Sequence, residues 1–379
     1  MTPIPLSLYL HIPWCVRKCP YCDFNSHEAK QKIPEQGYID ALLADLEAEL
    51  PHIWGRPIES IFIGGGTPSL FSGAGIDRLL SGLRERLPIR PGTEITLEAN
   101  PGTFEQERFT QFREAGINRL SIGIQSFQDK KLSALGRIHN GSEALTAAQI
   151  ANNAGFDNFN LDLMFGLPAQ TTTDALQDLE LAIQQGASHL SWYQLTIEEN
   201  TLFYHQPPKL PADEHLWEIM QAGQSLLVES GYTQYEVSAY AHEYRECRHN
   251  LNYWQFGDYL GIGAGAHGKL TMPNGEIFRH SKYRHPEKYM TTALAGNARS
   301  NETKLEKDAL LFEFMLNVTR LKAGFSQDLF ENRTLLDFNE IKDQLEQQIQ
   351  KGLMKKTNNH YQTTEKGWLF INDIVESML

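Results

Sequence analysis

At 379 residues the chain exceeds one ordinary domain and suits an α/β barrel, which runs to roughly 250 residues, plus an appendage. Its 34 basic and 47 acidic residues leave a net charge of −13, which argues against a broad nucleic-acid or anionic-membrane footprint. No membrane-length apolar run, no basic leader in Met1–Leu8 and only four cysteines together lead us to expect a reduced, cytoplasmic protein.

Apolar runs of strand length alternate with helix-period segments. Strand one, Leu6–Leu10, leads into a cysteine loop and a helix over Gln36–Leu50. Strand two, Ser60–Ile63, ends in Gly64-Gly65-Gly66-Thr67-Pro68 and precedes a helix near Ala74–Leu87. Strand three, Glu94–Glu98, is stopped by Asn100-Pro101 before a helix near Glu105–Ala115. Strand four, Arg119–Ile124, is followed by helical material to about Ala154. Strand five, Phe159–Phe165, precedes a helix near Thr173–Gln185, and strand six, His189–Leu195, one near Asp213–Glu229. Six βα units imply a parallel sheet with helices outside. Six rather than eight predict an incomplete (βα)6 TIM-like barrel over residues 1–235.

A Gly-, Tyr- and His-rich connecting segment, 236–303, follows. Residues 304–379 then read helix, helix, a hairpin over Leu353–Thr363 turning at Asn358-Asn359, and a last helix from Glu365. That order predicts a helical, winged-helix-like domain. Its 10 basic and 12 acidic residues make DNA binding unsuited to it, so it should cover the open side of the barrel or dock a partner.

Three cysteines, Cys15, Cys19 and Cys22, follow strand one at CxxxCxxC spacing. Three thiolates do not close a structural zinc site, which usually needs four protein ligands. They can hold three irons of a [4Fe–4S] cluster and leave the fourth open. The alternatives are a zinc site that recruits Cys247, and a Cys19–Cys22 disulfide, which a reducing compartment disfavours.

In such barrels active sites gather at the C-terminal ends of the strands. Tyr9 lies near the end of strand one, and Gly64–Pro68 follows strand two with backbone free to approach a ligand. Glu98 ends strand three and Gln125 strand four; Arg137 lies twelve residues on. Asp162 sits within the apolar run of strand five. It is either a lumen group with partners or a misplaced surface residue. Gly261–Gly268 matches GxGxxA only superficially, because no βαβ unit surrounds it. Nor does the chain contain a phosphate-binding GxxxxGK loop, a Ser-His-Asp order or HExxH.

The cysteine spacing resembles that of the radical S-adenosylmethionine (SAM) superfamily. In that superfamily the open iron chelates SAM, and an electron from the cluster cleaves it to a 5′-deoxyadenosyl radical. YxHIPWC, GGGTP, ExNP (Glu98–Pro101) and SxGxQSF (Ser121–Phe127) further resemble the oxygen-independent coproporphyrinogen III dehydrogenase family along nearly the whole chain. The resemblance implies SAM contacts at Tyr9, Tyr21, Gly65, Gly66, Thr67, Glu98, Gln125, Arg137 and Asp162, and less directly at Thr196 and Ala266.

Two departures stand out. Phe24 occupies the position of a further cysteine, and the cysteine loop lies close to the chain start, without the dehydrogenase's preceding arm. Both point to the sister group of haem chaperones, as does the HNxxYW motif His249–Trp254. The resemblance implies haem binding by His249, Tyr253 and Trp254, through an imidazole ligand and two flat apolar faces. Cys247 is an alternative thiolate ligand or a buried bystander. Arg279, His280, Lys282, Arg284 and His285 read as a solvated basic face, or as partners for haem propionates. The implied partners are haem, haemoprotein recipients such as respiratory enzymes and an electron donor such as flavodoxin or ferredoxin, with a homodimer possible and no nucleic acid. Coproporphyrinogen III dehydrogenation is not expected, though it remains the alternative function.

Overall fold

The computed structural model describes residues 4–53, 55–102 and 105–378; Met1–Pro3 of the Met1–Leu8 stretch lie outside them. The first strand, β1 (Leu6–Ile12), is buried along nearly its whole length. Such continuous burial is the mark of a parallel strand covered on both faces. Leu6, Leu8, Leu10 and Ile12 pack in the main core, while Ser7, Tyr9 and His11 face the lumen.

The predicted alternation follows: α1 (Glu35–Ile53), β2 (Ile58–Gly65), α2 (Gly73–Arg86), β3 (Ile89–Ala99), α3 (Glu105–Ala115), β4 (Arg119–Gln125), α4 (Asp129–Ala134), α5 (Gly141–Asn153), β5 (Phe159–Phe165), α6 (Thr172–Gln184) and β6 (His189–Gln194). Capping boxes, Asn140 with Glu143 and Thr171 with Asp174, start α5 and α6. Helix α1 buries Tyr38, Ile39, Leu42 and Leu46 against the strands, each worth about 1.5–3 kcal/mol of apolar transfer.

Next come α7 (Leu202–His205), α8 (Asp213–Glu229), β7 (Thr233–Glu236), β8 (Ala239–Ala241), α9 (Arg248–Trp254), β9 (Asp258–Gly263), β10 (His267–Thr271), β11 (Ile277–Lys282), α10 (Pro286–Leu294) and β12 (Arg299–Lys304). The twelve strands form one sheet in the order β12-β11-β10-β9-β1-β2-β3-β4-β5-β6-β8-β7. Strand β6 does not return to β1, so the barrel is open, as six units predict.

The connecting segment differs from its sequence reading. Its glycine run is β9, a seventh parallel strand, registered Leu6↔Asp258 to His11↔Gly263 against β1. Gly263 has φ +109°, and a Cβ there would lie 2.4 Å from the His11 carbonyl oxygen. The glycines therefore serve the strand's approach to the barrel rim. Asp258 anchors the other end of β9. Burial raises its pKa, but Lys269 (2.9 Å) and Arg56 (2.8 Å) more than offset this and hold it below the usual range. The basic strip is also corrected: Lys282 is buried between Asp45 and Glu49, both 2.6 Å away, and Arg279 pairs with Glu313.

The C-terminal unit comprises α11 (Lys307–Val318), α12 (Gln327–Thr334), α13 (Asn339–Gln350), the hairpin β13 (Met354–Thr357) and β14 (His360–Thr363), and α14 (Glu365–Trp368) with α15 (Ile371–Glu376). Phe314, Phe330, Phe338 and Tyr361 form its core, and Asn358 turns the hairpin at φ +56°. It docks on the open side of the barrel. Leu321 bridges Glu236, and the Lys322 N–H donates to the Tyr235 carbonyl.

Candidate functional site

Residues 13–28 form the cysteine loop, which is pinned at several points. Trp14 and Cys15 pair with His27 and Glu28, and the Cys22 N–H donates to the Cys19 carbonyl across a tight turn. The β2 turn grips the same loop: the Gly66 N–H donates to Ile12 O and the Thr67 N–H to Trp14 O. A Cβ on Gly66 would lie 2.5 Å from Trp14 O, and one on Gly65, at φ +117°, would strike the His11 ring. The glycines of the GGGTP turn are thus demanded by this close packing.

Cys15, Cys19 and Cys22 are half-exposed free thiols at the mouth of a cavity of about 550 Å³. Burial raises the pKa of Cys15 and Cys22. The Arg137 guanidinium approaches Cys19 Sγ at 3.8 Å while donating to Asn100 Oδ1 (2.7 Å) and Gly123 O (2.6 Å). Among the described residues no three His, Cys, Asp or Glu side chains converge tightly enough for a single metal ion.

The walls come from successive strands: Gly65, Gly66 and Thr67 from the end of β2, Glu98 from β3, Gln125 from the end of β4, Asp162 from the middle of β5, and Tyr193 and Thr196 from β6 and beyond. Gln125 has φ +68°, a costly conformation for a residue with a side chain, and the Tyr193 hydroxyl donates to its Oε1 at 2.8 Å. Glu98 Oε2 accepts from the Gly65 N–H at 3.0 Å. Burial, reinforced by Asp162, nevertheless pushes its carboxyl up to about 8. Asp162 accepts from Ser121 (3.1 Å) and Asn160 (2.8 Å), so it is a satisfied lumen group whose pKa burial still raises.

Tyr21 lines the cavity with its ring near Phe203. Tyr9 sits deeper: its hydroxyl is 3.0 Å from His11 Nδ1 and its ring stacks on Phe62. Ala266 is not among the lining residues, and its backbone bonds to Gly263 and Lys282.

The HNxxYW segment is α9. Glu94 accepts from the backbone N–H groups of Arg248 and His249, both at 3.2 Å, as an acidic cap on the helix start. Tyr253 and Trp254 meet edge to face at 4.8 Å, and His249 lies apart from them. His249 turns inward, with Nδ1 3.1 Å from Ser60 Oγ and its ring 5.1 Å from that of Phe62. Burial, then Arg119, pushes its pKa down to about 3, so the imidazole is neutral. Tyr253 packs on Tyr259 at 5.1 Å, whereas Trp254 lines the cavity. Cys247 is buried beside Glu94 (Sγ to Oε1, 3.6 Å). Asn250, Arg320 and Ser238 also line the cavity, and the sequence reading missed them.

The open barrel, its cysteine loop on β1 and its strand-end pocket define a radical SAM protein. The Radical SAM superfamily pattern matches residues 9–182, and the HemN C-terminal domain pattern matches 305–370. That superfamily implies a [4Fe–4S] cluster and SAM. The fold aligns with Escherichia coli coproporphyrinogen III oxidase (HemN) at a TM-score of 0.83 and 25% identity, covering 99% of this chain and 90% of that one. Heme chaperone HemW of Haemophilus influenzae is 52% identical and that of Escherichia coli 50%, each over 99% of this chain and 98% of the relative. The chain belongs to the heme chaperone HemW family.

Proposed function

We propose that this protein binds haem in the cytoplasm and delivers it to haemoproteins, with a [4Fe–4S] cluster on Cys15, Cys19 and Cys22 and SAM in the adjoining cavity. The observation that carries the proposal is the full-length identity with the haem chaperones, combined with three free thiols facing one cavity. The residues fit a cluster: Arg137 places positive charge beside Cys19, and Cys247 is spent on Glu94. Bound there, a cluster would supply one-electron chemistry to SAM, drawing on a donor such as flavodoxin or ferredoxin.

The chain's own residues position SAM. The Gly65–Thr67 turn, with its tight backbone, meets the methionyl end. Glu98, Gln125 and Asp162 present carboxyl and amide oxygens to hydroxyl and amino groups, while Arg137 balances charge. Haem contacts fall to His249 and the aromatic residues of α9. Neutral imidazole with Nδ1 fixed by Ser60 leaves Nε2 as the ligand atom. At 9% exposure His249 offers a macrocycle no face as α9 stands, so ligation requires α9 to shift.

The test is a haem titration of the anaerobically reconstituted protein, with SAM cleavage followed in the same sample. Tight stoichiometric binding with little turnover is expected. No haem binding, with brisk 5′-deoxyadenosine release on coproporphyrinogen III, would return the chain to the dehydrogenase reading, which the HemN-like fold favours. In the same titration Ser60→Ala should weaken haem binding roughly tenfold, the usual cost of losing a group that orients a metal ligand. His249→Ala should weaken it at least as much with the cluster intact. An unchanged Soret band and affinity would remove His249 from the site.

A further inference from the structure

The cavity that opens at the cysteines closes on residues the SAM reading leaves unused. Asn250 and Trp254, one turn apart on α9, face it together, and Arg320, just beyond α11, completes that end. Arg320 lies with Cζ 4.4 Å from the Trp254 ring centroid and Nη2 3.1 Å from Glu236 Oε2. Glu236 Oε1 accepts from the Ser238 N–H, so this carboxylate fixes the guanidinium from one edge.

The donors on the other side are unspent. Arg320 Nε and Trp254 Nε1 are both buried and have no hydrogen-bond partner among the described residues. Most buried side-chain polar atoms find partners, so two orphan N–H donors at this end of the cavity call for an explanation. One belongs to a guanidinium group and the other is an indole N–H. Such a set selects a planar oxyanion, and a carboxylate matches the guanidinium edge best.

We infer that the Arg320–Trp254–Asn250 end of the cavity is a carboxylate subsite that seats a propionate of the tetrapyrrole. The inference rests on the haem reading above and adds to it a site built jointly by α9 and the C-terminal unit. Trp254 contributes its indole N–H and a flat apolar face. Arg320 contributes charge, and Asn250 an amide beside them.

Haem and haem dimethyl ester differ only at the propionates, so four affinities test the assignment. Wild-type protein should bind the ester roughly tenfold to a hundredfold more weakly than haem, the value of one charged hydrogen-bonded contact. Arg320→Gln should lose the same factor for haem, yet change ester binding by no more than about twofold, the scatter of independent sites. Equal wild-type affinity for both ligands overturns the subsite without recourse to any variant. Equal loss of both ligands in Arg320→Gln shows that the residue acts only through the fold, and also overturns it. A loss of SAM affinity in place of haem affinity would assign the subsite to the SAM carboxylate. Failure of the wild type to bind either porphyrin removes the haem reading and the subsite together, whereas haem binding with an additive cycle removes the subsite alone.

Discussion

Replacing any one of Cys15, Cys19 or Cys22 with Ala reduces reconstituted iron and visible cluster absorbance to background, whereas Cys247→Ser retains both. This is the largest effect we expect, because each thiolate holds a different iron and two do not retain the cluster. Geometry separates the fourth cysteine from the other three. Cys247 Sγ contacts Glu94, five residues before Ala99 at the end of β3. At about 3.3 Å per residue that is roughly 16 Å down the lumen from the strand ends that support the cysteine loop. Iron content and absorption spectra of the four anaerobically reconstituted variants decide the matter. Loss of the cluster in Cys247→Ser would mean a four-cysteine site and a different fold around it.

Glu98→Gln is expected to stabilise the ligand-free protein at alkaline pH while weakening SAM binding. In the fold the Glu98 carboxyl keeps its proton up to about pH 8, because burial and Asp162 outweigh the single N–H bond from Gly65. Tyr9 and Tyr193, the other titratable neighbours, are themselves pushed upward and add no positive charge. In the unfolded chain a glutamate titrates near 4.3. Between these values the folded state holds the extra proton, so stability falls as pH rises from about 4.5 to 8. The amide removes that loss. The variant should match wild type near pH 4 and exceed it at pH 9 by on the order of 3–5 kcal/mol. Denaturant melts at the two pH values measure the difference, and parallel curves would refute the assignment. The cost falls on function. An ionised carboxylate accepts bonds worth about 1.5–3 kcal/mol each, against about 0.5–1.5 for a neutral amide, so SAM affinity should drop in the variant and rise with pH in the wild type.

Much of this was legible in the chain. Strands β1 to β6 are buried on both faces, so they appear as apolar runs between helices; their C-terminal ends named Glu98 and Gln125, and Asp162 stood out as a carboxylate inside such a run. Arg137 carried no such signal and was marked only by resemblance. Strand β9 was hidden because glycines carry no strand preference; its stability lies in backbone contact with β1 and in the Asp258 ion pairs. Lys282 looked solvated because its partners, Asp45 and Glu49, sit on α1, more than two hundred residues away. Arg320 was invisible for a similar reason, since only docking of the C-terminal unit brings it to Trp254 and Glu236.

The pairing of β1 with β9 also bears on how the molecule is made. Leu6 and Asp258 are about 250 residues apart, and translation at 5–20 residues per second separates their synthesis by roughly 10–50 s. For that interval β1 has one open edge, and the loop bearing Cys15, Cys19 and Cys22 hangs from it without the Asn25 bonds to Ala264 and Arg284 that later clamp it. A nascent chain stalled before Asp258 should therefore have its cysteine loop cut by limited proteolysis, and one stalled beyond β12 should resist the cut. The scaffold that fixes the cysteine loop is in this way completed only when residues from the last third of the chain have been made.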